Sequence, residues 1–394
     1  MANRTVNLQN LAASEPVARA RAMLRERAAA VVDEMRELVA VPAPPFGEGQ
    51  RAAWYAARLE AAGYEPACDE LHNLIAARGA LDGCVAVVAH LDTVFPADTP
   101  LTPQERDGRI HAPGISDNVR GLAAVLALAR VFAETDLELE RTVAFVASVG
   151  EEAAGDLRGM KHLFRDDGPL RRAAAVIAVD GTGLRRIVHR AVGSIRMRVT
   201  VRGTGGHSWA DYGIPNPLHA LNAAMARLAS MPLPSRPRTT LTVARMQGGT
   251  SINAIPADAW AELDIRSEDD AVLRRMDEAV HTVMTEETRA ARVGRHGLDV
   301  EFQRIGARPA GITAADHPLV RAARAATRAI GERPELIASS TDANVPISLG
   351  IPGIAIGAGG ESGGMHTLEE WYSDEGGAEG LERLLLTVVG AAAS

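Results

Sequence analysis

At 394 residues, 46% hydrophobic and 23% charged, the chain has the composition of a soluble globular protein and is too long for one comfortable core, so two domains are expected. Forty-two Lys and Arg against 50 Asp and Glu give a formal charge of −8, which argues against a surface built for nucleic acid or an anionic membrane. Two cysteines, Cys68 and Cys84, make neither a disulfide framework nor a thiolate metal site.

The opening residues, MANRTVNLQNLAASEP, lack the charged segment, apolar core and cleavage site of a secretory leader, and no run is apolar enough to span a bilayer, so a cytoplasmic location is expected. Residues 16–41 carry Ala, Leu, Val and Met at helical spacing and stop before PAPP, which predicts one N-terminal helix. CVAVVAH (84–90), TVAFVASVG (142–150) and AAVIAVDG (174–181) read as buried strands, with a helix over 118–135 between the first two. Strands apolar on both faces and separated by helices predict an α/β fold: a mostly parallel, mixed sheet with helices on both faces.

The texture changes near residue 193. GSIRMRVTVRG (193–203) and AWAELDIRS (259–267) alternate polar and apolar residues, as antiparallel strands with one wet face do. Helical patterns over 216–231 and 270–292 and a strand over 298–306 complete a small α+β domain. A helix over 317–331 and a strand and loop over 351–360 then resume the first domain. The expected organisation is therefore residues 1–192 and 307–394 as one α/β domain, interrupted by a smaller α+β domain over 193–306.

His90 and Asp92 stand two positions apart where the apolar run of VAVVAHLDTVFP ends. Side chains two apart on an extended strand share a face, which suits a metal ligand and its orienting partner, although a polar strand end in water has the same spelling. Asp117, Glu151, Glu152, Asp180 and His366 also fall in loops after strands or at helix starts, and such loops converge on one crevice in open α/β sheets. Each has a plainer reading. Asp117 would cap the next helix, the two glutamates would be first-turn acids, Asp180 a turn residue, and His366 part of a glycine-rich loop. Together, two imidazoles and several carboxylates without a thiolate suit a pair of zinc, manganese or cobalt ions.

In order along the chain, AHLDTVFP, GISDNVRG, VGEEAAGDLRGM, VDG, GTGGHS, NAIPADAWAELDIR, STDAN and MHTLEEW resemble the motifs of the two-zinc exopeptidases and amidohydrolases, which include carboxypeptidase G, peptidase T, acetylornithine deacetylase, succinyl-diaminopimelate desuccinylase and aminoacylase. The resemblance covers nearly the whole chain and implies a catalytic domain interrupted by a lid domain through which many members dimerise, so a homodimer is expected. It implies that His90 and Asp180 bind one ion, Glu152 and His366 the other, and that Asp117 bridges both. Asp92 would orient the His90 ring. Glu151 would be the general base, moving a proton from the attacking water to the leaving nitrogen. A cis peptide between Asp117 and Asn118 is implied as well.

In the inserted domain the resemblance gives His207 the stabilisation of the developing oxyanion; Gly206 and Ser208 flank it where related proteins commonly carry Ala. Asn253 and Arg308 match substrate-contacting positions, and an arginine fork suits a terminal carboxylate, although Arg308 reads equally as a hinge or surface ion pair. Arg266 is a further candidate, placed on the wet side of an alternating strand. The expected function is metal-dependent hydrolysis of a peptide or amide bond in a small peptide or N-acyl amino acid with a free carboxylate. Aminopeptidase action of the peptidase T kind is the alternative. A metal- or peptide-binding protein without catalysis is a third reading, and dinucleotide binding lacks a G-x-G-x-x-G turn.

Overall fold

The computed structural model describes residues 14–135 and 137–393. These fall into two compact units, one comprising 14–191 with 312–393 and the other Val192–Gly311.

The larger unit begins with helices α1 (Glu15–Glu26), α2 (Ala28–Val39) and α3 (Gly49–Ala61). The single helix expected over 16–41 is thus broken. Arg27 leaves the helical region (φ −93°, ψ 2°) and its guanidinium pairs with Glu134 at 2.6 Å. The chain continues through β1 (Leu74–Ala77), β2 (Val85–His90), α4 (Arg120–Glu134), β3 (Val143–Ser148), β4 (Ala175–Val179) and β5 (Arg186–Ala191).

The smaller unit contains β6 (Gly193–Arg202), α5 (Pro217–Ala229), β7 (Thr239–Gly248), β8 (Asp258–Ser267), α6 (Asp270–Ala290) and β9 (Asp299–Arg308). The larger unit resumes with α7 (Pro318–Ala329), β10 (Gly353–Ile356) and α8 (Gly377–Ala392).

The large sheet runs β1-β3-β2-β4-β10-β5 across its middle. The β2–β3, β2–β4 and β4–β10 pairs are parallel, whereas β1 and β5 join antiparallel. This is the mixed, mostly parallel α/β sheet expected from the sequence. Alternate residues of β2 enter different cores. Val85, Val87 and Ala89 pack with α1–α4 and α8, while Ala86 and Val88 pack with Leu157, Met160, Leu163 and Phe164. Both faces are therefore covered, which is why these strands read as unbroken apolar runs. Helix α4 is buried along almost its whole length, as its Ala- and Leu-rich sequence requires. Glu382 of α8, itself buried, pairs with Arg21 and Arg25 and fastens α1.

The smaller unit is a four-stranded antiparallel sheet in the order β7-β8-β6-β9 with α5 and α6 on one face. Asn216 and Asp269 cap these helices, accepting the backbone N–H groups of Leu218 and Val272, each at 2.9 Å. Ile195, Met197, Val199 and Val201 of β6 and Ala259, Ala261, Leu263 and Ile265 of β8 face the helices. The residues between them face away, so Arg198 pairs with Glu262 and lies over Trp260 at 4.3 Å. Among the described residues no helix is long and apolar enough to cross a membrane.

Candidate active site

Asp117, itself buried, stands at the centre of a polar cluster in the larger unit that opens to solvent at His366. Its Oδ1 lies 3.0 Å from His90 Nε2 and its Oδ2 lies 3.0 Å from His366 Nε2. His366 Nε2 is also 3.0 Å from Glu152 Oε1. His90, Asp117 and Glu152 offer ligand atoms that all lie within 4.8 Å of one another. Ligands about 2.0–2.1 Å from one tetrahedral ion sit roughly 3.4 Å apart. The 3.0 Å pairs come within a few tenths of an ångström of that spacing. Neutral imidazole and carboxylate donors, with each oxygen of one carboxylate turned to a different imidazole, fit two divalent ions sharing Asp117.

Each donor is placed by a different element. His90 is the last residue of β2, at the carboxyl end of the sheet; Glu152 follows β3 and Asp180 follows β4. Asp117 and Asn118 occupy the irregular turn before α4, and the peptide between them is cis. His366 has a left-handed backbone (φ 63°), a conformation that costs a residue with a side chain roughly 1–2 kcal/mol.

The electrostatics follow from this crowding. Burial works against the charge on Asp117, but hydrogen bonds from His366 and His90 outweigh it and hold the carboxyl well below its ordinary range. Hydrogen bonds to Asp117 and Glu152 push His366 up to about 10. Burial opposes protonation of His90, yet Asp117 and Asp92 keep it well above its ordinary value. Burial, with the charges of Asp117, Glu152 and Asp342, pushes Asp180 up to about 7. An excess of acids around two proton-retaining imidazoles is what a cation would relieve.

Asp92 is placed differently from the simple alternation picture. The strand ends at His90, so Asp92 no longer follows its pleat. His90 Nδ1 meets the Asp92 backbone oxygen at 3.0 Å, with Asp92 Oδ1 farther away at 3.7 Å. The Asp92 carboxylate accepts the backbone N–H of Glu151 at 3.0 Å and of Glu152 at 2.8 Å. It therefore shapes the loop that carries both glutamates, which are themselves buried.

Several supporting residues lie in the quoted motifs but had no supporting role assigned from the sequence. Asn118 donates to Val179 O at 2.8 Å and its Oδ1 accepts from Gly181 N at 3.3 Å, joining the turn to the end of β4. Gly121 leaves room for this, since a Cβ there would stand 2.1 Å from Asn118 Oδ1 and 2.6 Å from Val179 O. Ser148 Oγ donates to Asp342 Oδ2 at 2.5 Å, so the STDAN segment is tied to the end of β3. Glu370, within MHTLEEW, accepts from Gly114, Ser116 and Asp117. A separate cavity of about 530 Å³, walled by Arg324, Arg328, Glu332 and Arg333 among others, shares no residue with this cluster.

In the smaller unit, His207 and Asn253 are neighbours. The two-residue ladder of Gly206–His207 with Ala254–Ile255 places them side by side, and Ser208 N donates to Asn253 O at 3.0 Å. His207 Nδ1 accepts the backbone N–H of Trp209 at 3.2 Å and of Ala210 at 3.3 Å. Its proton in the neutral ring therefore resides on Nε2. Arg308 is buried at the end of β9, opposite Ser194. Arg266 lies on the wet face and donates to Asp264 at 2.8 Å.

Residues 86–389 match peptidase family M20/M25/M40. A succinyl-diaminopimelate desuccinylase of Stenotrophomonas maltophilia is 28% identical over 260 residues, 60% of this chain and 68% of that one. The aminopeptidase PepT of Bacillus cereus superposes with a TM-score of 0.76 at 25% identity, over 94% of this chain and 99% of its own. The YXEP protein of Bacillus subtilis, a dinuclear metal-binding peptidase, superposes with a TM-score of 0.66 at 20% identity, over 92% and 97% of the two chains. With the motifs, the sheet and the family match all running through the same residues, this chain belongs to peptidase family M20/M25/M40 and is a metallohydrolase.

Proposed function

We propose that the chain cleaves a peptide or amide bond in a small peptide or N-acyl amino acid that carries a free carboxylate. The observation that carries this reading is Asp117, whose two oxygens each meet a different imidazole at 3.0 Å. His90, Asp117 and Asp180 would hold one divalent ion, and Asp117, Glu152 and His366 a second. Zinc is the ion proposed, with manganese and cobalt suited to the same donors. Such ions, when bound, make water a nucleophile near neutral pH and polarise a carbonyl.

The chain's own groups do the rest. Glu151 takes the proton of the attacking water and delivers it to the leaving nitrogen. Asp92 holds the loop on which Glu151 and Glu152 stand. His207 donates its Nε2–H to the carbonyl oxygen as charge develops on it, a role that its fixed tautomer supports. Arg308 and Asn253 receive the substrate, the arginine through its carboxylate, with Arg266 a less favoured contributor because Asp264 engages it. Likeness to a protein named succinyl-diaminopimelate desuccinylase favours the N-acyl amino acid substrate.

The smaller unit is proposed as an inserted lid through which the chain forms a homodimer. In support, β7 is an edge strand with residues 244–247 exposed, among them Met246.

The likeness to PepT favours one alternative, aminopeptidase action on di- and tripeptides. Mass-spectrometric product analysis separates the two. Zinc-, manganese- or cobalt-loaded protein is given dipeptides, tripeptides and N-acyl amino acids, each with a free or an amidated carboxyl end. Cleavage that demands the free carboxylate supports the proposal. Cleavage that tolerates the amide but demands a free amine transfers the assignment to aminopeptidase, and no cleavage across the panel overturns both.

A further inference from the structure

Glu370 is fully buried, and its carboxylate is held by hydrogen-bond donors from one short stretch of chain. Oε2 accepts the Gly114 N–H at 2.9 Å. Oε1 accepts the Ser116 N–H at 2.9 Å, the Ser116 hydroxyl at 2.6 Å and the Asp117 N–H at 3.1 Å. A buried carboxylate is tolerated only where such donors replace its water, so carboxylate and loop fix each other. The backbone adds to this. Ala112 N donates to Glu370 O at 3.1 Å, and the strand that follows, Trp371–Ser373, pairs with Arg109–His111.

Four residues before Glu370 stands His366, whose Nε2 meets the Asp117 carboxylate. One segment thus grips Asp117 twice, by its backbone through Glu370 and by its side chain through His366. His90 is held independently, at the end of β2 in register with Ser148 of β3. Loosening the Glu370 segment would displace two of the three donors on the Glu152–His366 side, Asp117 and His366, but only Asp117 on the His90 side.

We propose that Glu370 is a positioning residue for the Glu152–His366 side of the site, and that its removal weakens divalent-ion binding there while largely sparing the His90 side. The inference rests on the two-ion reading above.

The test is zinc titration calorimetry on chelator-stripped full-length protein, with Co(II) absorption as a second readout. Glu370→Gln keeps the size of the side chain but turns an amide N–H₂ toward a backbone N–H. The singly loaded His366→Ala protein supplies the reference spectrum for an ion on the His90 side. The expected result is two ions in the wild type, with second-ion affinity about 10–100-fold lower in Glu370→Gln and first-ion affinity within about threefold. Equal weakening of both ions, or no change in either, overturns the proposal.

If Glu370→Gln does not fold, Ser116→Ala removes one donor and leaves the carboxylate. Selective weakening of the second ion then supports the inference, and unchanged binding overturns it. A wild type that takes up fewer than two ions overturns the two-ion reading and this inference with it, which separates that failure from a failure of Glu370 alone.

Discussion

Asp92 holds Glu152 through the backbone: its Oδ2 accepts the Glu152 N–H at 2.8 Å, while Oδ1 accepts that of Glu151 at 3.0 Å. A carboxylate can accept both, whereas an asparagine must turn an N–H₂ toward one of them. Hydrogen bonds to a charged group contribute about 1.5–3 kcal/mol each. Asp92→Asn is therefore expected to lower stability by roughly 2–4 kcal/mol and kcat/KM by about 10–100-fold. Thermal melts and steady-state kinetics on a cleaved substrate check this. A variant with wild-type kcat/KM would mean that the loop keeps its shape without the carboxylate.

Glu151→Gln preserves shape and backbone bonding but removes the proposed proton acceptor. Turnover is expected to fall by about 10²–10⁴-fold, with both ions still bound. Plasma mass spectrometry of the dialysed protein, beside its kinetics, makes the distinction. Loss of the ions together with activity would make Glu151 a ligand and not the base.

Much of the sheet was legible because a strand buried on both faces has no room for polar residues, so VAVVAH announces itself. His90, Asp117, Glu152 and His366, which lie together in the structure, each had a common plainer use, and only the ordered motifs that resemble the two-zinc exopeptidases made them legible as a set. The placement of Asp92 was not, since the period-two argument holds only while the strand lasts, and it ends at His90. Glu370 was invisible for a different reason. Its partners are mainly backbone N–H groups, which any residue offers, and they lie 253 to 256 positions away. The break at Arg27 was likewise hidden, because the apolar spacing runs on across it and only the packing of α1 and α2 separates them.

Without an ion the site should favour low pH. The His366 value is raised to about 10 from 6.5, so its stabilising contribution is complete below about pH 6.5 and is lost as the pH rises toward 10. Asp180, raised to about 7 from 3.8, acts in the same direction, because its buried charge becomes a burden as it ionises across that range. Asp117, held low, loses its contribution only below its ordinary range. The Tm of chelator-treated protein is therefore expected to fall from about pH 5 to pH 9. The gain in Tm on adding zinc should widen over the same interval, because metal replaces protons on the imidazoles. A gain in Tm that shrinks with rising pH would contradict the ligand assignment.

His207 provides the sharpest test of the part proposed for the smaller unit in the reaction. Trp209 and Ala210 donate to its Nδ1, so Nε2 presents the proton. A donor that serves a charge present only in the transition state should affect kcat and leave KM nearly alone. His207→Ala is expected to lower kcat by about 10²–10³-fold, with KM within about threefold and metal content unchanged. His207→Gln, which can still offer an N–H, should recover part of the loss. A variant with raised KM and normal kcat would instead make His207 a ground-state binding residue. Full activity in His207→Ala would remove it from the reaction altogether. Because the side chain is exposed, neither substitution should lower Tm appreciably, so a fall in kcat could not be ascribed to unfolding.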